Sequence, residues 1–380
     1  MFAGVDSMTT SADHRDAWIE VDLDAIAGNA GALRSLLPRS TRLMAILKAD
    51  AYGHGAIQTA RALQHHADAL GVATLDEGLS LRQAGVPGRI VVLYDVPAGT
   101  YPEAMAADLE LSVGSLEALR EITGLPHGNR PFVHLKIDTG MARQGFRLEQ
   151  LGAWTTELSR TAPVVAGVWT HLRDGADAAS ASAQREAFSR AVAALAKLGV
   201  RGERHVSASA AILSRTVADE EMARPGLALY GALPDEFVAA GGVSPVTLKL
   251  AMSVRARPVR VVDVPDGTQV GYGGSFVTAG ASRLATLPLG YADGVPRSLA
   301  NDRGHVLVRG QRAPIVGRIS MDSLVVDVSQ IPGISRADTF TILGRDEQDA
   351  ITLEELSAAA GTIPQEVAVR FNSRLPRRYP

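Results

Sequence analysis

What most constrains the fold of this chain is a regular alternation of two hydrophobic periods across its first two-thirds. Apolar runs of strand length fall at 43–47, 69–73, 90–94, 109–113, 132–137, 164–170, 205–207 and 221–223. Between most of them lie stretches with helical spacing, the clearest at 182–198. Strands alternating with helices predict a parallel (β/α)8, TIM-like barrel, because a helical crossover brings each new strand back parallel to the last. The last two runs are very short, and a count of seven or nine strands also fits the pattern. Ahead of the barrel pattern, Ile19, Val21 and Leu23 alternate with Glu20 and Asp22, as in a strand with one buried face. Asp24 is positioned to cap a helix running through Ile26, Leu33 and Leu36 to Pro38.

Near Gly241 the pattern changes. A valine-rich stretch, 243–264, contains Pro245 and Pro258, and short β-like runs follow at 284–289, 305–308, 314–319, 324–328 and 339–343. Closely spaced turn signals separate them, and one helical stretch, 353–360, interrupts them. The expected organisation is a loose polar tail at 1–16, a barrel domain at 17–245 and a smaller, mostly β domain at 246–380.

Composition narrows the function classes. Hydrophobic residues make up 46% and charged residues 21%, as in a globular protein with a sizeable core. No apolar run reaches membrane-spanning length. A net charge of -3 gives no reason to expect nucleic acid or an anionic membrane as partner. With 0 cysteines the chain can form no disulfide, thiolate metal site or cysteine nucleophile, which is compatible with a reducing cytoplasm. No metal site is expected: His65 and His66 are adjacent on a predicted helix and point in different directions.

The chemistry is concentrated where barrel strands end. Lys48 follows the run 43–47 and opens Lys48-Ala49-Asp50-Ala51-Tyr52-Gly53-His54-Gly55, a turn leading into a helical pattern. A lysine there reads either as a side chain snorkelling to solvent or as an amine made reactive by burial. Arg143 ends the stretch Lys136-Ile137-Asp138-Thr139-Gly140-Met141-Ala142-Arg143 after the fifth run. His171 closes the sixth, Ser209 follows the seventh, and Arg224-Pro225-Gly226 follows the eighth. In a parallel barrel these positions share one rim.

These segments, with Val270-Gly271-Tyr272-Gly273-Gly274, 290–294 and 317–322, resemble the alanine racemases from Trp18 onward. The resemblance implies a cytoplasmic, homodimeric enzyme that uses pyridoxal 5'-phosphate (PLP), held covalently by Lys48, to interconvert L- and D-alanine. It implies that Tyr52, Ser209, Gly226, Leu227 and Tyr379 hold the phosphate. Arg224 would face the pyridine nitrogen, and because an arginine keeps its protons, the ring would be a weaker electron sink and transamination disfavoured. Lys48 and Tyr272 would be the two bases, on opposite faces of the cofactor, with Tyr272 supplied by the partner subunit in a head-to-tail homodimer. A phenol needs cationic neighbours to act as a base at neutral pH, and the family arrangement links Tyr272 to His171 and so to Arg224. Arg143, Tyr291 and Met321 map to the substrate pocket. Lys136 matches a position that carries a carbamate in some relatives; a strand-end salt bridge is the other reading of it.

The chain departs from the family pattern at Ala208, where asparagine is common, and at Leu172-Arg173-Asp174-Gly175-Ala176-Asp177. Both departures bear on substrate breadth. A racemase of serine or another small amino acid keeps the same residues. A decarboxylase of this fold would use a partner-subunit cysteine, which this chain lacks, and single-barrel PLP-binding proteins have no β domain. A sugar-phosphate enzyme on the same barrel would leave the Lys48 and Tyr272 segments unexplained.

Overall fold

The computed structural model describes residues 14–126, 128–161, 164–301 and 303–380. They form two compact units, one comprising Asp22–Ala251 with Ile363–Val369, the other Met252–Thr362 and Arg370–Pro380 together with the chain through Val21.

The first unit is a closed barrel of eight parallel strands. In order around the barrel they are Arg42–Ile46, Ala69–Val72, Arg89–Val92, Glu110–Val113, Val133–Asp138, Val165–Trp169, Glu203–Ala208 and Met222–Arg224. The ring closes where Met222 and Ala223 pair with Arg42 and Leu43. All eight apolar runs are therefore strands, including the two shortest. Strand interiors such as Leu43, Val72, Val91, Leu111 and Leu135 are buried, as expected of parallel strands covered on their outer face by helices. The first helix, Leu23–Arg34, is capped by Asp22, whose Oδ1 accepts from Ala25 N at 2.7 Å, rather than by Asp24. Asp22 has the extended backbone a cap needs, whereas Asp24 already lies in the first turn.

The second unit is built on a mostly antiparallel sheet. Its order is Arg260–Val264, Ser282–Leu287, Leu324–Asp327, Gln311–Val316, His305–Val308, Phe340–Asp346, Met252–Ala256, Ala17–Val21 and Arg377–Arg378. The strand Ala17–Val21 belongs to this sheet, pairing antiparallel from Ala17↔Ala256 to Val21↔Met252, and not to the barrel domain in which the sequence placed it. The division after it falls at Ala251, six residues beyond the expected 245, and the short piece Ile363–Val369 returns to the barrel unit. Of the expected loose tail, residues 1–13 lie outside the described residues. Arg15 is tied down: it donates to the carbonyls of Arg374 (2.7 Å) and Pro288 (3.2 Å) and pairs with buried Asp293 at 2.7 Å.

Candidate active site

At the carboxyl ends of the barrel strands lies a cavity of about 500 Å³. Lys48, Tyr52, Arg143, His171, Ser209, Arg224, Gly226 and Leu227 all line it, with Lys136 beside them. The rim expected from the strand count is thus assembled within the barrel unit.

Lys48 opens a turn with an unusual backbone. Ala49, Asp50, Ala51 and Tyr52 have φ of 54°, 53°, 54° and 53°, four consecutive residues in the left-handed region, where each side chain crowds its own carbonyl. The turn is held from outside itself. Glu77 accepts Ala49 N at 2.7 Å and Ala73 N at 2.6 Å, while Asp50 Oδ1 accepts Ala56 N at 2.7 Å. Burial, with Arg143 next, brings the Lys48 amine below the usual lysine range, and Glu77 pulls the other way. A larger neutral fraction is what a nucleophilic amine requires.

Tyr52 ends this turn, buried and packed on Tyr230 with ring centroids 5.1 Å apart. Burial pushes its phenol well up, so it stays a neutral donor. Across from it, Ser209 Oγ accepts the backbone N–H groups of Gly226 (3.0 Å) and Ala228 (3.3 Å). A Cβ at Gly226 would stand 2.7 Å from Tyr52 Oη, so glycine there leaves room for the phenol.

Arg224 is buried without a carboxylate in contact among the described residues. It donates to Thr170 O (2.7 Å), Val206 O (3.1 Å), His205 Nδ1 (3.2 Å) and His171 Nδ1 (3.4 Å). Burial lowers its pKa to about 10, which leaves it charged at neutral pH. His171, desolvated and facing Arg224, Arg143, Lys48 and Lys136, is held well below the usual histidine range and is neutral. Lys136 makes no ion pair among the described residues. It donates to Gln144 Oε1 at 2.7 Å and sits 4.3 Å above the Trp169 ring. Burial, then Arg143 and Arg224, bring its amine down to about 7. The Arg143 guanidinium lies 5.9 Å from the Tyr94 ring centroid, exposed towards solvent.

The family models for the alanine racemase N-terminal and C-terminal domains match residues 21–234 and 251–379. The alanine racemase of Nostoc sp. is 38% identical over 371 residues, covering 95% of both chains. That of Methanococcus maripaludis is 36% identical, covering 95% of this chain and 98% of its own. The crystal structure of alanine racemase from D-cycloserine-producing Streptomyces lavendulae superimposes with a TM-score of 0.87 at 37% identity, over 96% of this chain and 97% of that one. The chain belongs to the alanine racemase family.

The remaining residues singled out for their likeness to the alanine racemases lie in the β unit. Tyr272, Tyr291 and Met321 are 70%, 43% and 53% exposed, far from the burial usual for such side chains. Tyr291 and Met321 stand on joined loops, with Tyr291 N donating to Ser320 O (3.1 Å) and Ala292 N to Met321 O (3.0 Å). The Tyr272 loop packs on the turn beginning at Gly317, where a Cβ would meet Val270 O at 2.8 Å. Tyr379 follows Arg377–Arg378, which pairs in parallel with Ile19 and Glu20 in the β sheet.

Sequence reasoning missed two supporting residues. Glu77 closes a capping box with Thr74, and the Thr-x-x-Glu spacing was there to be read. Gln184 sits on the buried stripe of the helix Ala178–Lys197, with Ala181, Phe188, Ala191 and Leu195. It donates to Thr139 Oγ1 (3.1 Å) and His171 O (3.2 Å) and accepts Arg173 N (2.8 Å), tying the unusual segment after His171 to the loop that carries Arg143. An amide at a helix's core position is its signal.

Proposed function

We propose that this chain is a PLP-dependent alanine racemase, working in the cytoplasm as a homodimer whose active sites take Lys48 from one subunit and Tyr272 from the other. The observation that carries the reading is a half-buried, pKa-lowered lysine in one cavity with Arg143 and Arg224, neither of which has a paired carboxylate among the described residues. Such a surplus suits a ligand with a phosphate and a substrate with a carboxylate. The residues present fit PLP: an amine for its aldehyde, neutral hydroxyl and backbone donors at Tyr52, Ser209, Gly226 and Leu227 for its phosphate, and a glycine where any side chain would close the cradle.

When bound, PLP supplies the electron sink that makes the α-proton of an amino acid removable. Arg143 holds the substrate carboxylate, with Tyr291 and Met321 of the partner shaping the pocket entrance. Lys48 Nζ, its pKa lowered by burial, takes or returns the α-proton on one face. The partner's Tyr272 Oη does the same on the other, so a proton leaves one side and arrives at the other with no net change. The exposure of Tyr272, Tyr291 and Met321 in a single β unit supports their being covered by a second copy. Arg224, which has protons to donate and none to accept, is assigned to the ring nitrogen, and neutral His171 links it to the partner's Tyr272.

The test is chiral chromatography after incubating PLP-loaded protein with L-alanine and, separately, L-serine. D-alanine as the dominant product is expected. Racemisation of serine with alanine unchanged would keep the cofactor and overturn the substrate, and no reaction at all would overturn the assignment of the catalytic pair.

A further inference from the structure

Among the described residues Arg224 is a buried cation with no carboxylate in contact, Glu220 acting on it only through space, yet a chain of hydrogen bonds leads from it through the barrel to another. Arg224 Nη1 lies 3.2 Å from His205 Nδ1, His205 Nε2 lies 3.0 Å from His134 Nδ1, and His134 Nε2 lies 2.7 Å from Glu110 Oε2. Glu110 then receives Arg89 through two bonds of 2.8 and 2.9 Å, and Arg89 pairs onward with Glu203 at 2.8 Å. Arg224 ends the eighth strand at the cavity, whereas Glu110, Arg89 and Glu203 each begin a strand, at the opposite end of the barrel.

The chain can be protonated in only one way. A guanidinium has no acceptor, so His205 Nδ1 must accept and its proton must sit on Nε2. That proton obliges His134 Nδ1 to accept in turn, which places the proton of His134 on Nε2, aimed at the carboxylate. Both imidazoles are neutral, and every donor points from Arg224 towards Glu110. The barrel is built around this geometry. Both rings are fully buried, His205 stacks on Trp169 at 6°, and a Cβ at Gly167 would fall 2.1 Å from His134 Nδ1. Aligned neutral donors between a cation and an anion polarise one another, so Glu110 is coupled to Arg224 at a distance, in addition to the direct field of Glu220.

We propose that Glu110 is a positioning residue for Arg224, acting across the barrel through the fixed tautomers of His134 and His205. The proposal rests on the assignment of Arg224 to the cofactor's ring nitrogen. Glu110 sets which guanidinium proton is committed to His205 and therefore the orientation and field Arg224 presents to the ring. Removing its charge should alter the ring's electronic state and let more turnovers end in transamination.

The experiment is 15N-histidine NMR on the PLP-loaded protein, followed by the same spectra and the cofactor's absorbance for Glu110→Gln. His134 and His205 are expected as neutral Nε2–H tautomers. Glu110→Gln is expected to shift the His205 signals two links away, move the cofactor's absorbance, and raise pyruvate formed per alanine racemised at least threefold. An Nδ1–H or doubly protonated His205 in the unaltered protein overturns the relay, with no variant needed. Unmoved His205 signals in a folded Glu110→Gln protein overturn it as well. Shifted His205 signals with an unmoved cofactor spectrum overturn instead the placing of Arg224 at the ring, and the positioning role with it.

Discussion

Replacing Gly226 with alanine puts a methyl carbon 2.7 Å from Tyr52 Oη and 3.4 Å from Cζ. Carbon and oxygen in ordinary contact stand about 3.5 Å apart, so the phenol oxygen must retreat by roughly 0.8 Å. The φ of Gly226, -121°, lies outside the left-handed region. The obstacle is Tyr52, which cannot move freely: its ring packs on Tyr230 and its backbone closes the left-handed turn that begins at Lys48. Overpacking of this kind costs about 1–3 kcal/mol. If Tyr52 holds the PLP phosphate, most of that cost falls on binding, and affinity for PLP drops about 5- to 150-fold at roughly 1.4 kcal/mol per decade. Absorbance titration of the cofactor-free protein with PLP measures the loss, and thermal denaturation of the same sample measures what falls on the fold. Tyr52→Phe removes the clashing oxygen and leaves Cζ at an ordinary distance. In that background, alanine at 226 should cost little more than Tyr52→Phe alone. Equal losses from Gly226→Ala in both backgrounds, or no loss in either, would refute the cradle.

Four shorter predictions accompany it. Tyr272→Phe removes only the hydroxyl and keeps the ring, so thermal stability should change little. In D2O it should abolish α-deuterium exchange for one enantiomer of alanine and spare the other, while loss of both would contradict a two-base division. The amine of Lys136, at about 7 against an ordinary 10.5, binds fewer protons folded than unfolded across that window. Stability in carbon dioxide-free buffer should therefore rise with pH between them, by at most about 1.4 kcal/mol per unit, and Lys136→Met should lose that slope in urea titrations. The same neutral amine can add carbon dioxide and release a proton, so 13C-bicarbonate should give a carbamate NMR signal that disappears in Lys136→Met. Gln184→Leu strands the carbonyl of His171 and the N–H of Arg173, while the Thr139 hydroxyl keeps Thr170 Oγ1 at 2.8 Å, and should cost about 1–3 kcal/mol on urea unfolding. A drop in kcat/KM for alanine should accompany it, and stability lost with kinetics untouched would separate the loop tie from the site.

What the sequence determined by itself was local in origin. The strand and helix periods of the barrel follow from burial of neighbouring residues, so all eight strands were legible, even the three residues of Met222–Arg224. The helix at Leu353–Ala360 was legible for the same reason. Lys48, Arg143, His171, Ser209 and Arg224 were legible because a parallel barrel sends every strand end to one rim. Tertiary structure alone decided the rest. Ala17–Val21 looks like any strand, and only the register that sets Trp18 opposite Arg255 removes it from the barrel. The same sheet takes in Arg377–Arg378. No local preference would put Ala49 to Tyr52 in the left-handed region; Glu77, distant in sequence, holds the start of the turn by accepting Ala49 N. His134, His205 and Glu110 carry no motif, because their order exists only across the barrel. Period and propensity are set by near neighbours, whereas register, strain and the tautomer of a buried ring are set by whatever the fold places opposite.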